Sequence, residues 1–74
     1  MIEELDTVAL TEPLLDHGLA KGAEGVVVMV YGNHQAYEVE FLDGPRTVAL
    51  VTLTPDTVQL VHRFTPVSAA AAAR

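Results

Sequence analysis

Apolar and polar residues alternate with a period of two along most of this chain, the pattern of strands that bury one face. Leu5–Leu10 opens the series, with Leu5 and Thr7 on one side and Asp6, Val8 and Leu10 on the other. Residues 11–21 break it. Pro13 and Gly18 mark a long loop with a helical turn at Leu14-Leu15, and long loops on small domains often carry binding. Val26–Tyr31 is apolar on both faces, as expected of a strand that bends and is covered twice. Gly32-Asn33-His34 is a turn signal, followed by Ala36–Phe41, where Tyr37, Val39 and Phe41 point inward and Glu38 and Glu40 outward. Asp43-Gly44 makes a second hairpin into Thr47–Leu53. Pro55 lacks a ladder donor, so 54–57 reads as a 3-10 turn before a last short strand, Val58–Val61. Short strands with turns every 8–12 residues or so exclude a βαβ arrangement. The pattern predicts an all-β fold, a small five-stranded SH3-like barrel over residues 1–61, with a core of Val26, Val28, Tyr37, Val39, Phe41, Val48 and Leu50.

Beyond His62 the alternation fades. Ser68, five alanines and Arg74 give 62–74 the character of an Ala-rich tail, disordered or helical; an isolated helix so short is marginal in water. The whole chain has 74 residues, half of them apolar, enough for one small core and no more. No apolar run approaches the roughly 20 residues of a membrane helix, and the acidic start lacks a signal pattern, so a cytoplasmic protein is expected.

Charge changes the picture more than composition does. Ten acidic against four basic residues leave a net charge of −6. Residues 1–16 carry Glu3, Glu4, Asp6, Glu12 and Asp16 without a single Lys or Arg. Such a segment repels phosphate backbones and suits a basic protein, whose approach it would steer. These five acids, with Tyr31 at a strand end beside the Gly32 turn, are the candidate partner-binding residues.

Candidate chemistry is sparse. The chain has no cysteine, which removes disulfides, thiolate metal sites and a thiol nucleophile. His17, His34 and His62 fall in a loop, a turn and after the last strand, without the close spacing of a metal site. Gly18, Gly22 and Gly25 precede a strand and lack the Lys-Ser/Thr of a phosphate loop, so they serve the backbone instead. Ser68 is the only serine and lies in the tail, so no Ser-His-Asp set forms. Glu38 and Glu40 share a strand face as alternation requires, with no pocket to separate their pKa values. The expectation is no catalytic residue, no cofactor and no metal.

Leu5-Asp6-Thr7-Val8, His17-Gly18-Leu19, Gly22-Ala23-Glu24-Gly25-Val26-Val27, Tyr31, Ala36–Phe41 and Thr52-Leu53-Thr54 resemble the domain of unknown function 4926 family. The resemblance covers residues 1–61 and implies small bacterial proteins, frequent in cyanobacteria. It also implies genes that often sit beside a second small gene of uncharacterised or toxin-like type, which suggests an antitoxin- or immunity-like role. The family has no assigned activity to carry over. Three readings follow: a non-catalytic protein-interaction domain, a self-associating structural domain, and, weakest, a nucleic-acid binder of the KOW kind resting on Lys21, Arg46, Arg63 and Arg74.

Overall fold

The computed structural model describes residues 1–66, which form five antiparallel strands in a single sheet: β1 Thr7–Leu10, β2 Glu24–Tyr31, β3 Ala36–Asp43, β4 Arg46–Leu53 and β5 Val58–His62. Two 3-10 turns interrupt them, Leu15–His17 in the loop after β1 and Pro55–Thr57 just before β5. The strand order is β4-β3-β2-β1-β5. The five-stranded all-β architecture and the turn before the last strand are as the alternation predicts. Among the described residues the ladder does not close on itself: β4 pairs only with β3 and β5 only with β1, so no hydrogen bonds between them complete a barrel.

One sheet has no second layer to cover it, so it wraps its inner face around a single cluster. Val8, Leu10, Val27, Tyr37, Val39, Phe41, Leu53 and Val58 are buried there, one or more from every strand. Leu14 and Leu19 fold in from the long loop and pack against it, bridged to each other across that loop. Gly25 is buried where β1, β2 and β3 meet. A Cβ there would stand 2.7 Å from Val39 Cγ1 and 2.9 Å from the Glu40 carbonyl oxygen, so the strands approach this closely only with glycine.

The expected core is corrected at four positions. Val26 is half-buried, and Val28, Val48 and Leu50 are exposed on the outer face. In β2 the register slips between Val27 and Met29, so Val28 and Met29 both face out and Val27 takes the core position. In β4 the inward residues are Ala49, Val51 and Leu53, opposite Phe41, Val39 and Tyr37 of β3. Cross-strand partners share a face, so β3 decides which half of β4 goes inside.

The folded unit also runs past residue 61. Asp6 is only 2% exposed. Its Oδ2 accepts the Glu3 N–H at 2.9 Å and its Oδ1 the Phe64 N–H at 2.8 Å, with Arg63 Nη1 at 3.7 Å. Arg63 Nη2 in turn donates to the Met1 carbonyl at 2.9 Å. One carboxylate thus ties the segment before β1 to the segment after β5. Of the tail expected over 62–74, His62 lies in β5 and Arg63 and Phe64 take part in this clamp, and the 67–74 portion lies outside the described residues. No helix among the described residues is long and apolar enough to cross a membrane.

Candidate interaction surface

The outer face of the sheet is set by the residues that alternation and the register slips in the ladder turn away from the core. Reading across the strands, Leu50 of β4 lies opposite Glu40 of β3, Glu40 opposite Val26 of β2, and Val26 opposite Thr7 of β1. One row beyond, Leu42 and Glu24 stand on the same side. Together Thr7, Glu24, Gly25, Val26, Glu40 and Leu42 line an open groove of about 200 Å³. Val26 and Leu42 make its floor apolar, and Glu24 and Glu40 set a carboxylate on each of two neighbouring strands. Thr47 Oγ1 donates to Glu40 Oε2, and Thr52 Oγ1 to Glu38 Oε1, so the β3 glutamates are held in place by β4 hydroxyls. An apolar trough with fixed negative charge suits an alkyl-stemmed cation, the side chain of Lys or Arg.

A second, wider groove of about 420 Å³ lies between the long loop and β4, lined by Pro13, Leu14, Leu15, Asp16, His17 and Val51–Leu53. Leu15 at its rim is 84% exposed.

The acids expected to bind a partner do not behave as one patch. Asp6 is withdrawn inside the clamp and offers no surface. Its carboxyl titrates below the usual value: burial alone would raise it, but the N–H groups of Glu3 and Phe64 and the charge of Arg63 together prevail. Glu3 Oε2 is 3.0 Å from His34 Nε2 in the β2–β3 turn, and Glu4 is exposed beside it. Glu12 and Asp16 are exposed on the long loop, Asp16 within the second groove. Tyr31 is exposed, and its hydroxyl donates to Glu38 Oε1 at 3.2 Å; burial and the Glu38 charge raise its pKa.

Glu24 and Glu40, which line the first groove, were not among the sequence candidates. The signal was present in the Glu38/Glu40 alternation, but alternation says only that they face out, not that β2 brings a third acid alongside. Among the described residues no three His, Asp or Glu side chains converge as a metal site would require.

A family model described as domain of unknown function (DUF4926) matches residues 4–60, most of the chain. No curated protein and no solved structure matches.

Proposed function

We propose, given that the chain belongs to the family described as domain of unknown function (DUF4926), that it is a non-catalytic, cytoplasmic protein-interaction domain that engages a basic protein through the outer face of its sheet. The observation that carries this reading is the groove floored by Val26 and Leu42 and flanked by Glu24 and Glu40. A lysine or arginine laid there would bury its alkyl stem on the two apolar residues and place its charge between the carboxylates. The net charge of −6 adds long-range attraction toward such a partner and repulsion toward nucleic acid. The nearest candidate is the product of the adjacent small gene that the family resemblance implies, masked by this domain in the manner of an antitoxin or immunity protein.

Titration calorimetry of the full chain with that product tests the reading. Binding should weaken about tenfold when Glu24→Lys and Glu40→Gln are combined, and should fall steeply with added salt. Binding untouched by both changes would refute it.

A further inference from the structure

We propose that the free edge of β4 pairs antiparallel with the β4 edge of a second copy, joining two sheets across a two-fold axis and setting Arg46 of each copy against the Asp16 groove of the other. Three features of the fold lead there.

The first is the edge itself. β4 is eight residues long and, among the described residues, is hydrogen-bonded on one side only, to β3. From Thr47 to Leu53 it has no charge, no proline and no glycine, and Val48 and Leu50 are 46% and 56% exposed. Natural sheets usually guard a strand like this with lysine, proline or brevity. The opposite edge, β5, is guarded: it is five residues long and is followed directly by Arg63 and the Asp6 clamp.

The second is regularity. The β3–β4 register slips only near the Thr47 end and runs unbroken from Ala49 to Leu53, which keeps the outward backbone groups of that stretch in step for a new strand.

The third is charge, and it selects the occupant. A two-fold interface must be complementary to itself, so a positive end needs a negative end on the same seam. β4 has both. Arg46 stands at its start and makes no ion pair among the described residues. At its other end, Val51–Leu53 line the groove that holds Asp16, with Leu15 exposed at the rim. An axis through Ala49 sets Arg46 opposite Thr52 of the second copy, and an axis through Leu50 sets it opposite Thr54. Either placement brings the guanidinium to the Asp16 end. Between two molecules of net charge −6 this neutral seam with opposite ends is where the mutual repulsion is least.

The pairing uses the β4 edge and the loop groove, and leaves the groove on β1–β3 open. It therefore stands or falls apart from the binding of a basic partner.

Sedimentation of the full chain from about 1 µM to about 1 mM tests it. Reversible dimerisation is expected. Leu50→Lys, on an exposed position that leaves the fold intact by circular dichroism, should raise the dimer dissociation constant at least about tenfold by placing like charges near the axis. Arg46→Glu and Asp16→Lys should each weaken the dimer by about tenfold, and the two together should restore it. Leu60→Lys, on the β5 edge, should change nothing. A monomer throughout the range, a dimer indifferent to Leu50→Lys, a dimer lost with Leu60→Lys, or a charge swap no better than either single change would each overturn the proposal.

Discussion

Asp6 shows how differently a charge behaves once its neighbours are known. In the sequence it is one of five acids in a base-free stretch, which makes it a surface candidate, while the alternation of β1 puts it on the side of Val8 and Leu10. The fold takes that second option and surrounds it with two backbone N–H donors and Arg63. Leu5 just before it adopts a left-handed φ of 72°, a conformation uncommon for a side-chain-bearing residue, held there by the Leu5 N–H bond to the Val27 carbonyl at 2.6 Å. Folding lowers the Asp6 pKa below 3.8, so it favours the ionised form. The resulting stability is complete above the unfolded value and disappears as pH falls through the folded one. Asp6→Asn should therefore destabilise the domain by about 1–3 kcal/mol at neutral pH, with the difference from wild type shrinking below pH 3.8; urea unfolding over that range measures it.

At the scale of elements, what could be read from the chain depended on whether a strand was amphipathic. Ala36–Phe41 alternates cleanly, and Tyr37, Val39 and Phe41 are all buried as predicted. Val26–Tyr31 and Thr47–Leu53 are apolar on both faces, and there periodicity contains no information about which face turns inward. The slip at Val27/Met29 is set by pairing with β3 across the hairpin, and no pattern within β2 itself marks it. The consequence is sharp enough to test. Val27→Ser should cost about 2–3 kcal/mol and threaten a domain this small, whereas Val28→Ser, one residue on and 37% exposed, should shift the unfolding midpoint little. Equal sensitivity at the two positions would place the slip elsewhere. The loop at 11–21 was legible as the longest irregular stretch, and its 3-10 turn at Leu15–His17 lies close to the expected turn at Leu14-Leu15. Its inward packing through Leu14 and Leu19 was not, because both leucines sit in a segment without period.

For the molecule as a whole, net charge and strand count were visible from the start, and the distribution of charge was not. The acidity is dispersed: part is internal at Asp6, part engaged at Glu3 by His34, part on the long loop, and part on the outer sheet face at Glu24, Glu38 and Glu40. That last set lies on the two strands of one hairpin, and it is the register of β2 against β3 that brings Glu24 alongside the β3 glutamates. The sheet face is therefore the proposed site of partner recognition, and the β4 edge that of self-association. Amide chemical-shift mapping on the isotope-labelled chain, titrated with a short oligolysine peptide as a basic probe, tests the placement of partner recognition most directly. The largest shifts should fall at Thr7, Glu24–Val26 and Glu40–Leu42. Shifts confined to Glu3, Glu4, Glu12 and Asp16, or no shifts at all, would contradict it.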